Sequence, residues 1–282
     1  MEHYGKHSMF IPKGTGISPD ELSDEDLRKL PFELTAFERA CPHAEFYDLM
    51  PAPLPEEHRE AIENGPMDSR YAFSMQDYGK FMNNTGHCDV ENGYCVLPDG
   101  VTYASALIRQ EGRTDEVIDF YNQYFAPEDS LFYKTWYPGS HYLHFEGGCL
   151  EDFGFGRMKL IFAEKIKPCH LGIKEEEIVK NDPACIFIGG TSAVGYNLDG
   201  KDPKRPERNV IALYHRLTDY GREVRIRLWY GIGVEKGQYY KTLLDSGEAL
   251  DIAKKTMIHI MQEYTNDQYL ETAFFNKFHN QG

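Results

Sequence analysis

Nowhere in the 282 residues does an apolar run approach the roughly 18 residues of a spanning helix, so no membrane segment is expected. Met1 to Phe10 is polar and no apolar stretch follows it, so no secretory signal is expected either. The six cysteines, Cys41, Cys88, Cys95, Cys149, Cys169 and Cys185, are scattered and form no CxxC pair. In a chain this long they do not read as a disulfide framework, and the expectation is a reduced, cytoplasmic protein. Basic side chains are in short supply. Thirty Lys and Arg face 45 Asp and Glu, a formal net charge of −15, which excludes nucleic acid and anionic membrane surfaces as expected partners. Internal repeats and low-complexity tracts are absent too. What is present is a 41% apolar composition, enough for a core, with 19 Tyr and 17 Phe. That aromatic excess suits either a cavity for a flat or phenolic ligand or a core built on tyrosine.

The chain divides by texture near Glu91. Residues 1–90 are rich in turns and short helices, with Ser18 or Ser23 as caps, Pro31 as a stop and Gly65 closing "PLPEEHREAIENG". They read as an accessory or dimer-forming region. Residues 91–282 read as an antiparallel sheet. "GYCVLPDGVTYASALIR" alternates about an Asp99-Gly100 turn, as a hairpin does. "RTDEVIDFYNQYF" reads as a helix starting near Thr114. "KTWYPGSHYLHFEG", "RMKLIFAEKIK", "ACIFIGGTSAVGYN", "NVIALYHRLTDYG" and "REVRIRLWYGIG" read as strands. A long helix capped at Ser246 ends the chain, with a break expected near Asn266. The fold class is α+β.

On that last helix Ala249, Leu250, Ala253, Met257, Ile260 and Tyr264 form the principal apolar stripe. His259 and Glu263 stand at its flank, four residues apart and so on one face. They are a surface pair, a buried hydrogen bond, or half of a metal site; zinc would need further ligands from the sheet. His141 and His144 follow a Pro-Gly turn, with Tyr133 and Trp136 just ahead. Glu164 interrupts an apolar strand and is either on the wet face or buried for a reason. His215 and Tyr230 flank the hairpin at Thr218 to Gly221, where His215 reads as a core, rim or catalytic histidine.

Taken in order, "ENGYCVLPDG", "YKTWYPGSH", "YHRLTDYGREVRIRLWYG" and the final HxxxE resemble the C-acylphenol hydrolases, the group of 2,4-diacetylphloroglucinol and phloretin hydrolases. The resemblance runs from about Glu91 to Glu263. It implies a Bet v 1-like helix-grip, with a curved sheet around the terminal helix and an N-terminal region engaged in a homodimer. It implies Zn2+ on His141, Glu164, His259 and Glu263. It places Tyr133, Tyr230 and His144 at the hydroxyls of an acylated polyphenol and makes His215 the proton-handling group. The activity implied is hydrolysis of the aryl–acyl carbon–carbon bond. Tyr137 and His144 depart from the family pattern, which bears on the choice of substrate. The rival readings are a non-catalytic phenolic- or polyketide-binding protein of the same fold, and a zinc that only locks helix to sheet.

Overall fold

The computed structural model describes residues 22–41, 43–82, 86–122, 130–145, 147–174 and 185–279; Ser18 lies outside them. Eight strands form one antiparallel sheet: β1 (Gly93–Val96), β2 (Thr102–Glu111), β3 (His141–Phe145), β4 (Gly148–Asp152), β5 (Arg157–Lys165), β6 (Cys185–Asn197), β7 (Glu207–Thr218) and β8 (Gly221–Tyr230). Their spatial order is β1-β2-β8-β7-β6-β5-β4-β3. A small hairpin of β9 (Ile232–Glu235) and β10 (Gln238–Lys241) stands apart from that sheet.

The helices are α1 (Asp24–Arg28), α2 (Ala36–Arg39), α3 (Glu56–Glu63), α4 (Tyr78–Met82), α5 (Asp115–Asn122), α6 (Ser130–Trp136) and α7 (Ser246–Phe278). Ser23 closes a capping box on α1, and Gly65, at φ +81°, follows the end of α3. The hairpin about Asp99-Gly100 is present, with Gly93 opposite Ser105. "KTW", however, ends α6 rather than starting a strand, because the strand begins only after the Pro138-Gly139 turn, at His141.

Both faces of the central strands are covered, which is why β2 and β8 are buried almost end to end. On one face Ala104, Ala106, Ile108, Val224, Ile226 and Leu228 meet Ala253, Met257, Ile260 and Met261 of α7. On the other, Tyr103, Val210, Tyr214 and Trp229 meet Phe73, Met75, Tyr78 and Met82 from the N-terminal region. Under that cover Arg225 and Arg227 both bond to the Glu91 carboxylate.

The terminal helix differs from the sequence reading in three respects, the first being that Asp245 and not Ser246 stands at its N-cap. It does not break near Asn266. The Asn266 Oδ1 accepts from the Ala52 amide at 2.8 Å, and its Nδ2 donates to the Trp136 carbonyl at 2.9 Å. Tertiary partners thus occupy the amide that would otherwise compete with the helix backbone. The stripe is also rotated slightly: Leu250 is exposed and Ile252 is buried. Among the described residues no helix is long and apolar enough to cross a membrane. An α+β chain with a large antiparallel sheet gripping a C-terminal helix is compatible with the helix-grip expectation.

Candidate metal centre

The β3–β4 hairpin turns tightly at Gly147, whose φ of +82° suits a residue without Cβ. The turn sets His141 directly opposite Glu151. Just ahead, α6 lays the Tyr133 ring flat on the His141 imidazole, with centroids 4.0 Å apart and planes 6° apart. From across the cavity α7 contributes His259 and, one turn on, Glu263. All four side chains are buried.

Hydrogen bonds fix which imidazole nitrogens are bare. His141 Nδ1 lies 2.9 Å from the Tyr133 carbonyl, which can only accept, so Nδ1 carries the proton and donates. Ser140 Oγ donates to the Asp152 carbonyl at 2.5 Å and therefore accepts from His259 Nδ1 at 3.2 Å. Both Nε2 atoms are left with lone pairs, buried, and neither has a hydrogen-bond partner. Each faces the same carboxylate oxygen: Glu151 Oε2 is 3.4 Å from His141 Nε2 and 3.5 Å from His259 Nε2. The Glu263 oxygens stand 3.9 and 3.8 Å from the same two nitrogens.

Those separations are long for hydrogen bonds. In a tetrahedral array with bonds of about 2.0–2.2 Å, ligand atoms lie about 3.3–3.6 Å apart, close to the spacings seen. The electrostatics agree. Burial alone would raise the Glu151 carboxyl, but the facing imidazoles of His141 and His259 hold it well below the usual carboxylate range. Burial, then repulsion from Glu151 and Asp267, pushes Glu263 well above it. Burial lowers His141, which favours the neutral, ligating form. The Glu151 carboxylate, two bare imidazole nitrogens and a Glu263 carboxyl that would give up its proton to a bound cation make a donor set that fits a divalent ion. The Nδ1–H bonds to a carbonyl and to a serine are the outer contacts that orient metal-ligating histidines. His141, Glu151 and His259 are the group among the described residues that could hold a metal ion.

Beside the cluster lies a cavity of about 240 Å³ between the sheet and α7. Leu160, Phe162, Ile211, Leu213 and Leu228 make its apolar wall, and Tyr133, His144, Cys149, Thr191 and Asn209 its polar points. The Tyr133 hydroxyl donates to Glu151 Oε2 at 3.2 Å. The arrangement can hold a cation at one end and a flat, partly polar molecule against it.

The model of one protein family, the DAPG hydrolase PhiG domain, matches residues 73–147, the stretch that carries Tyr133, His141 and His144. Phloretin hydrolase of Eubacterium ramulus is 24% identical over 105 residues. Both likenesses support the C-acylphenol hydrolase family. The second match covers 37% of this chain and 38% of the curated relative, so this chain spans well under two thirds of that enzyme's length. A solved structure of a hypothetical protein from Helicobacter pylori aligns with a TM-score of 0.29 and 12% identity, covering 64% of this chain and 91% of that one. At that TM-score it adds nothing to the argument.

Against the residues that the C-acylphenol hydrolase resemblance implies, the structure brings His141, His259 and Glu263 together and sets Tyr133 and His144 on the cavity wall. It does not bring Glu164. A bulge between Phe162 and Glu164 breaks the alternation of β5, so Glu164 pairs with Ser192 and turns to the far face. There its carboxylate accepts from the Gly237 amide at 2.8 Å and lies 3.6 Å from His170. The glutamate at the cluster is Glu151. Its signal was legible: "HFEGGCLED" reads as a tight hairpin, and Cys149 and Glu151 share one face of its second arm. His215 follows Leu213 on the same face of β7 but is not among the cavity-lining residues; burial, then the Arg113 charge, lowers it to about 4. Tyr230 is also off the cavity wall, its hydroxyl bonded to Glu207 and its ring edge-on to Phe155.

Proposed function

We propose that this chain is a zinc-dependent hydrolase that cleaves the aryl–acyl carbon–carbon bond of acylated polyphenols, on a Bet v 1-like helix-grip scaffold. The observation that carries the reading is the pair of bare, buried Nε2 atoms aimed at two carboxylates at the end of a cavity with a tyrosine hydroxyl and an imidazole on its wall. The ion would be held by His141, Glu151, His259 and Glu263. When bound it would supply Lewis acidity toward the acyl oxygen or a more acidic water.

The rest falls to the chain and the substrate. An aromatic carbanion is a poor leaving group, so the bond breaks readily only from the keto tautomer, in which the acyl-bearing ring carbon has taken a proton. Cleavage then releases a stabilised enolate that returns to the phenol. Overall, water's oxygen ends on the acyl carbon as a carboxylic acid and the ring carbon keeps a hydrogen. Tyr133 and His144 line the cavity and would meet the substrate's ring and its hydroxyls there. His144 is the cavity-lining imidazole outside the proposed ligand set, and we assign it the proton at the ring carbon, a step worth about 10²–10⁴ in rate. The off-wall positions of His215 and Tyr230 give them no contact role in this reading.

Product analysis by mass spectrometry after incubation with phloretin and with diacetylphloroglucinol tests the reading. Phloroglucinol with the arylpropanoic acid, or monoacetylphloroglucinol with acetate, is the expected outcome. Zinc-loaded protein that leaves both substrates intact would reject the hydrolase in favour of a binding protein.

A further inference from the structure

Asn209 sits on β7 on the face that lines the cavity, two residues before Ile211 and four before Leu213. Its cross-strand neighbour on β6 is Ala193, also buried against the cavity. In this apolar stretch the asparagine is only 5% exposed, and its carboxamide is not among the buried polar groups sealed without a partner, so what it leaves accessible opens on the cavity it lines. An apolar residue of the same size would avoid the free-energy cost of such burial. Carboxamides are ordinarily hydrogen-bonded, and one held on the wall of a cavity is placed to take its partner from what the cavity holds.

The chemistry of the group narrows that partner. A carboxamide presents an acceptor, Oδ1, and a donor, Nδ2, side by side. A phenol hydroxyl donates, and the ketone it becomes on tautomerisation only accepts. An amide serves both forms of the same ring oxygen, whereas a carboxylate serves only the first. We propose that Asn209 is the residue that reads a ring hydroxyl of the substrate and follows it through tautomerisation, selecting polyhydroxylated rings over plain aryl ketones. This rests on the acylphenol reading above and adds the determinant of ring recognition.

The test is calorimetric titration of the full-length, metal-loaded protein and its Asn209→Leu variant with two probes. Phloroglucinol has ring hydroxyls; acetophenone has none. Phloroglucinol should bind the variant at least tenfold more weakly, with acetophenone binding and metal content unchanged. Equal weakening of both probes would make Asn209 a shaping residue only and overturn the proposal, as would unchanged phloroglucinol binding. Wild-type protein that fails to bind phloroglucinol at all would instead remove the acylphenol reading, and this proposal with it. If Asn209→Leu does not fold, Asn209→Val repeats the comparison with a residue at home in strands that offers no hydrogen bond.

Discussion

Ser140 spends one hydroxyl on two bonds, and that pair decides which nitrogen of His259 is bare. Ser140→Ala should leave the fold intact and weaken metal binding about 10–100-fold, read by competition with a chromophoric chelator. The choice between the two strand glutamates is equally open to measurement. Glu151→Gln should lose bound metal, while Glu164→Gln, altered on the far face, should keep full occupancy in elemental analysis. Full occupancy in the first variant would remove Glu151 from the ligand set. His259 and Glu263 were legible in the sequence because helical periodicity needs only local spacing. Glu164 entered the ligand set through the family resemblance alone, and the bulge that turns it to the far face depends on pairing with β6, which its own stretch does not show.

Elements are tied together by polar side chains that the sequence shows as residues but not as partners. Asn266 looked like a helix break and is instead a pin joining α7 to Ala52 and to the end of α6. Asn266→Ala leaves an amide and a carbonyl without that partner, and should cost about 2–4 kcal/mol in urea unfolding. Glu91 ties the N-terminal side to β8. Burial would raise its carboxyl, but Arg227 and Arg225 lower it to about 2 from the usual 4.5. A depressed folded value means the contribution is complete above about pH 4.5 and is lost as the pH falls toward 2. By linkage it is worth roughly 3 kcal/mol at neutral pH. Glu91→Gln should therefore be less stable than wild type at pH 7, with the gap closing near pH 2; a constant gap across that window would reject the assignment. Most strands and the closing helix were readable because turn residues and periodicity are local, but β4, which carries Glu151, was not among the strands read. The cover laid over the second face by Phe73, Tyr78 and Met82 was not, since nothing in 1–90 announces what it packs on.

At the scale of the molecule the proposed ion would clamp three elements, β3, β4 and α7. Without it, two buried carboxylates face each other across the grip. Stripping with a chelator should lower the melting temperature, and restoring zinc should raise it again by an amount that grows with free metal as RT ln(1 + [Zn]/Kd). Glu263→Gln should shrink that response by removing both a ligand and the repulsion. The positions of the donors along the chain carry one more consequence. His141 and Glu151 lie ten residues apart in one hairpin, while His259 and Glu263 come from the final helix. During synthesis the first pair can take shape while the second is still unmade, so a nascent chain has half a chelate and no grip. A polypeptide cut short before His259 would carry only the hairpin's two donors, so capture of the ion would report that hairpin and helix have both been made.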